Sequence, residues 1–352
     1  MNSLVPTPTP RAWKRTATAV LAALGVTALT ACAGGASDVA GGDDSGGDGS
    51  AGTVNLYAYA VPKVGFDKVI PAFQNTEEGR DVAFQSSYGA SGDQSRKVRD
   101  GAAADFVNFS VAPDIDRLVE GGLVAADWDA GDHAGVPFGS VVTIVVREGN
   151  PLGIRDWDDL LQPGLEVVTP NPFSSGSAKW NLLAPYAVKS DGGENPEAGL
   201  EFIEKLVNDH INVQPKSGRE ATETFLQGTG DVLLSYENEA YFIEGEGEPV
   251  EHVTPPGTFR IDNPAAVIEG SPGEDKAKAF NEFLYTPEAQ RLWAEAGFRP
   301  VDDAIAAEFA EKFPVPERLW TIEDLGGWDT VDAELFDADA GTIARIYDSA
   351  TR

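Results

Sequence analysis

Apolar and polar positions along the chain follow two alternating periods. The runs "VNLYAYA" (54–60), "DVAFQSS" (81–87) and "ADFVNFS" (104–110) have strand character. Each leads into a stretch of helical period, "FDKVIPAFQ", "SGDQSRKVRDGA" and "DIDRLVEGG". A second series follows with "SVVTIVVR" (140–147), "EVVTPN" (166–171) and "DVLLSY" (231–236), separated by helical patterns near 177–189, 196–208 and 220–227. Strand–helix alternation at this spacing predicts an α/β fold with a mostly parallel sheet. Beyond about residue 273 the pattern is mainly helical. Two segments, "PFGSVVTIVVREGNP" and "IDNPAAVIEGSP", bracket the second series and read as crossings between lobes. The expected organisation is one lobe from 53–138 and 264–352, and a second from 139–263, with a cleft between them. The acidic last helix, "DAELFDADAGTIARIYDSATR", is expected as an exposed face of the first lobe.

The first 32 residues follow a different pattern. Arg11, Lys14 and Arg15 precede the apolar run "TATAVLAALGVTALTA", too short for a comfortable membrane span and typical of an export signal. The ending Leu29-Thr30-Ala31-Cys32 resembles a bacterial lipobox, which implies cleavage before Cys32 and lipidation of its thiol. Cys32 is the chain's one cysteine, so no intrachain disulfide can form. Residues 33–52, "AGGASDVAGGDDSGGDGSAG", are too poor in apolar side chains to bury a core and read as a flexible tether.

Charge narrows the partners. Residues 1–32 hold three basic and no acidic side chains, so the remainder carries 23 Lys and Arg against 57 Asp and Glu, a net of −34. Such a surface repels nucleic acid and anionic membranes. Metal-binding spacings, a P-loop and a dinucleotide fingerprint are all missing from the sequence, so no metal or cofactor is expected.

Three polar loops each follow a strand and open a helix: "GASGDQ" (89–94), "PNPFSSGSAKWN" (170–181) and "KSGREATETF" (216–225). Small residues and hydroxyls crowd these helix starts, where unpaired backbone N–H groups and the helix dipole favour a negative group. A helix cap, a nucleophilic serine and an anion cradle are the three readings of each loop. Any one loop reads first as a plain cap, while three on successive crossovers could converge their amides on one small anion. A hydrolase using Ser91 or Ser175 lacks support, since "GASG" is not a nucleophile elbow and His133, His210 and His252 lie outside any triad-like motif.

At these loops the chain resembles the sulfate-binding proteins of sulfate/thiosulfate ABC importers. "SSYGASGDQSRKV" is similar to that family's Ser-His-Gly-Gly-Ser-Gly-Lys-Gln loop. "REGNPLGIRDWDDLLQPGLEVVTPNPFSSGSAKWNLLAPY", "GTGDVLLSYENEAY", "FLYTPEAQRLWAEAGFRPV" and "LWTIEDLGGWD" continue the likeness, in order, over essentially all of 53–335. The resemblance implies a type II periplasmic-binding fold, two α/β lobes joined by two crossing strands with one oxyanion in the cleft. It implies a lipid-anchored, exported monomer that hands sulfate to a membrane ABC permease and performs no chemistry on it. Thiosulfate, molybdate and phosphate are the alternative ligands.

Carried over by position, Ser91 is expected to donate its backbone N–H, Ser175 its N–H and hydroxyl, and Gly176 and Ser177 their amides. The family's Ser-Gly-Ala-Arg loop is one residue shorter here, which moves its donor to Gly218 or Arg219. Tyr236 stands where the family has a tryptophan, and Ser177 stands where it has a glycine. Glu237, beside Tyr236, is a possible acceptor for a protonated anion.

Overall fold

The computed structural model describes residues 52–350. The export signal, Cys32 and nearly all of the tether lie outside the described residues.

The first series builds a four-stranded sheet. β1 (Thr53–Tyr59) lies between β2 (Ala83–Gly89) and β3 (Phe106–Asn108), parallel to both, and β9 (Ala265–Val267) closes the edge antiparallel to β3. Right-handed crossovers are the rule for parallel strands, and here the connecting helices are α1 (Lys63–Gln74) and α2 (Ser91–Arg99). α3 (Ala112–Glu120) follows β3. One face of this sheet packs on an aromatic cluster in which Phe66, Phe73, Phe106 and Phe138 meet Phe280 of α8 (Glu274–Leu284) and Trp293 of α9 (Pro287–Glu295). Gly65 is required there, because a Cβ would lie 2.0 Å from the Trp293 ring.

β4 (Phe138–Arg147) carries the chain into the second lobe. It is apolar along nearly its whole length and almost wholly buried, as a strand covered on both faces must be. Its first half pairs with β8 (Gly257–Asp262) and with β10 (Arg299–Pro300). Its second half pairs with β6 (Val232–Tyr236) and β7 (Val250–Val253), and β5 (Val167–Val168) extends the sheet parallel to β6. α4 (Gly176–Ser190), α5 (Pro196–Asp209), α6 (Gly218–Leu226) and α7 (Glu237–Gly245) cover it. The two crossings are thus β4 and the turn from β8 into β9. Asn108 Nδ2 fastens that turn, donating to Pro264 O at 2.9 Å.

The tail departs from the sequence expectation. After α10 (Asp303–Glu308) the chain returns to the second sheet, where β11 (Arg318–Trp320) pairs parallel to β8. Trp328 in α11 (Trp328–Val331) stacks edge-on against Trp180 of α4, with ring centroids 4.8 Å apart. Lys179 pairs with Asp332, and α12 (Thr342–Ala350) packs on α5. The last helix therefore lies on the second lobe. Amphipathic period tells that a helix face is buried, not which neighbour buries it.

A groove of about 720 Å³ runs between the crossing strands, α3 and the tail, lined by Asp116, Asp129, Asp132, Asp303 and Glu323 among others. Burial pushes the Asp116 carboxyl up to about 6, with Asp329, Asp129 and Glu120 adding to the rise against a hydrogen bond from Trp128 that lowers it. A carboxyl whose folded pKa exceeds its unfolded value stabilises the fold most at low pH and loses that contribution as pH rises through 6. Asp116→Asn is therefore expected to raise stability at pH 7.5 by about 1 kcal/mol, after discounting for partial exposure, and to leave it unchanged near pH 4. Urea midpoints at the two pH values check this.

Candidate functional site

The three loops singled out in the sequence do converge. Ala90 is the extended residue before α2, Ser175 the one before α4 and Ser217 the one before α6. Ser91, Ser175, Ser177, Ser217 and Gly218 line one small cavity, joined by Ser110 and by Tyr59, Ala60 and Val61 at the end of β1. Its volume is about 10 Å³, on the order of what one water needs and far below the 720 Å³ of the groove, so the loops are closed tightly on one another. None of the residues lining it carries a formal charge. The larger groove described above carries more carboxylates than cations, its Arg260 and Arg299 being paired with Asp262 and Glu237, and no loop of the three opens into it.

Contact between loops is close enough to demand glycine. A Cβ on Gly176 would lie 2.8 Å from Ser110 Cβ, and one on Gly218 would lie 2.9 Å from Ser177 Oγ. By their place in a first helical turn, the N–H groups of Ser91, Gly176, Ser177, Gly218 and Arg219 have no carbonyl one turn earlier to bond. They are the available donors. Such groups cost free energy if left dry and unpaired.

The hydroxyls are arranged differently from one another. Ser91 Oγ donates to Asp114 Oδ2 at 2.6 Å and accepts from the Ser110 N–H at 2.9 Å, so only its backbone N–H is left for a ligand. Asp114 is in turn held by Arg117 at 2.7 Å. Ser175 and Ser177 share a hydrogen bond of 2.7 Å between their hydroxyls. The Ser175 N–H donates to Asn171 O at 2.9 Å. That corrects one sequence expectation: Ser175 has its hydroxyl to offer and not its amide, because the turn from Asn171 uses the amide first.

Two further expected residues stand back from the cavity. The Arg219 guanidinium turns away to the Glu239 carboxylate at 3.2 Å and lies over the Phe242 ring at 4.5 Å. Burial raises the Glu239 carboxyl above the usual range and Arg219 draws it back. Arg219 therefore braces the loop and is no direct ion-pair partner in this arrangement. Tyr236, fully buried at the end of β6, places its hydroxyl 2.6 Å from Ser110 Oγ. Burial drives its pKa far above the ordinary phenol range, so it keeps its proton. Glu237 is no free acceptor either, since Arg299 clamps its two oxygens at 2.7 and 2.9 Å.

Ser110 escaped the sequence reading, whereas Tyr59, expected near the cleft as a wall, does line the cavity. A signal for Ser110 existed: it follows "ADFVNFS" out of a parallel strand, where ligands of open α/β sheets bind. The histidines lie elsewhere. His210 bonds Leu165 O at 2.8 Å, His252 meets Glu244 at 2.7 Å, and His133 stacks on Tyr285.

Comparison with known proteins gives these loops a family. Residues 54–299 match the model of the bacterial extracellular solute-binding proteins. The chain is 36% identical to the sulfate-binding protein of Synechococcus elongatus over 95% of this chain and 97% of that one. It is also 36% identical to the thiosulfate-binding protein of Pseudomonas aeruginosa, over 82% of this chain and 90% of that one. The solved structure of the sulfate-binding protein SubI from Mycobacterium tuberculosis H37Rv is 64% identical and superposes with a TM-score of 0.80, covering 81% of this chain and 99% of its own. These relatives are solute-binding proteins and not enzymes, and the two-lobed α/β fold is theirs. The chain belongs to the sulfate-binding proteins of ABC importers, within the bacterial extracellular solute-binding family.

Proposed function

We propose that this protein captures sulfate in the serine-lined cavity and delivers it to an ABC permease, exported and tethered to the outer face of the cytoplasmic membrane through a lipid on Cys32. Among the described residues no helix is long and apolar enough to cross a membrane. The observation that carries the reading is the convergence itself: three helix N-termini meet at one small cavity with no formal charge in its lining.

Neutral donors suffice for a dianion when enough converge. Each hydrogen bond to a charged group contributes about 1.5–3 kcal/mol, and helix N-termini add to it. In this reading the donors are the amides of Ser91, Gly176, Ser177 and Gly218 and one hydroxyl of the Ser175–Ser177 pair, the other proton being spent on the bond between them. The −34 surface does not defeat them, because exposed charge is screened over about 8 Å in physiological salt. Closure of the lobes on the anion would present the permease with the loaded form.

Selection follows from protonation. Sulfate brings four acceptor oxygens and no proton at neutral pH. Monohydrogen phosphate brings a proton, and no carboxylate lines the cavity to receive it. The serine hydroxyls that line it are already engaged: Ser175 with Ser177, Ser110 with Tyr236, Ser91 with Asp114 and the Ser110 N–H, and Ser217 with the Glu220 N–H. A buried group left unpaired costs about 1–3 kcal/mol, so phosphate is expected to bind roughly 5- to 150-fold more weakly.

Isothermal titration of the purified protein is expected to show one sulfate per chain. Its affinity should change by less than about twofold between pH 5.5 and 8, because no lining group titrates there. Binding of phosphate with no sulfate signal would contradict the reading, and a thiosulfate response equal to that of sulfate would broaden it. Gly176→Ala forces α4 away from Ser110 and is expected to lower sulfate affinity at least tenfold, read by the same titration.

A further inference from the structure

We infer that Ser110 and Tyr236 form a two-hydroxyl relay in which Tyr236 donates to Ser110 and Ser110 donates to the bound anion. The inference rests on the oxyanion reading of the cavity. Ser110 lines the cavity, whereas Tyr236 stands behind it with its hydroxyl 2.6 Å from Ser110 Oγ. The phenol keeps its proton, since burial raises its pKa.

Everything else about Ser110 is pinned. Its N–H donates to Ser91 Oγ at 2.9 Å, and its carbonyl accepts from Trp180 Nε1 at 2.7 Å and from Asn263 Nδ2 at 3.2 Å. The hydroxyl rotor is the freedom that remains. A phenol is a better donor than an alkyl alcohol, so the favoured order runs from Tyr236 Oη–H to Ser110 Oγ, and from Ser110 Oγ–H to an anion oxygen. Each bond polarises the next, and no proton changes owner. Tyr236 ends β6 in one sheet and Ser110 follows β3 in the other, so the relay is complete only when the lobes meet. It gives the buried phenol an indirect share in holding the anion and makes occupancy and closure favour each other.

The test is sulfate titration of the full chain as wild type, Ser110→Ala, Tyr236→Phe and the double variant. Ser110→Ala is expected to lose roughly 10- to 150-fold in affinity, the worth of one hydrogen bond to a charged group. Tyr236→Phe should lose roughly three- to tenfold, as one polarising bond disappears. The double variant should bind no more than about twofold below Ser110→Ala, because without Ser110 the phenol has no path to the anion. A double variant showing the product of both losses, or Ser110→Ala binding like wild type, overturns the relay. Wild type that ignores sulfate overturns the oxyanion reading instead. Should Ser110→Ala fail to fold, the tyrosine Fermi doublet in the Raman spectrum decides. Sulfate should shift it toward a stronger phenol donor in wild type and not in Tyr236→Phe, and an unchanged doublet overturns the relay.

Discussion

Backbone N–H groups at the first turn of a helix have no internal partner, and here three such turns, at α2, α4 and α6, end at the same buried space. Burial makes an unpaired amide costly, so this convergence favours a ligand that brings acceptors on every side. A tetrahedral dianion does so. The serines and glycines of these loops follow from the same requirement. Small residues let the loops approach until Gly176 touches Ser110 and Gly218 touches Ser177, and hydroxyls occupy sites where a larger polar chain would not fit.

That geometry holds only while two sheets are kept in register across the cleft. β4 threads both lobes, and the β8–β9 crossing is tied to the end of β3 through Asn108 and Asn263. The tail adds a third connection by laying β11 on β8 and bracing α4 through Trp328 and Lys179. α4 carries Gly176 and Ser177 at one end, so packing against the tail bears on where the cradle's amides sit. Ser110 is the meeting point, receiving Trp180 from α4 and Asn263 from the crossing while standing on the first lobe.

Much of this was legible in the chain. Alternating periods announced an α/β fold, and small polar loops after strands drew attention to Ser91, Ser175, Ser177 and Gly218, which line one cavity. What the sequence does not display is contact between distant positions. Ser110 and Tyr236 lie 126 residues apart, so the phenol's withdrawal behind Ser110 appears only in three dimensions. Arg219 stands in the third loop as a candidate donor, but nothing nearby in sequence shows that the buried Glu239 twenty positions on holds its guanidinium. Competition within one turn decided the Ser175 amide, which Asn171 takes. The tail's lobe was misread because a helical period carries no address.

The central claim is that uncharged backbone donors, and not side-chain cations, hold the ligand. Amide and guanidinium proton resonances of isotope-labelled protein measure this directly as sulfate is added. The account predicts that the N–H signals of Ser91, Gly176, Ser177 and Gly218 move downfield together at saturation, as amides do on donating to an anion, while the Arg219 and Arg299 guanidinium signals keep their positions. Large shifts in a guanidinium with those four amides unmoved would contradict it.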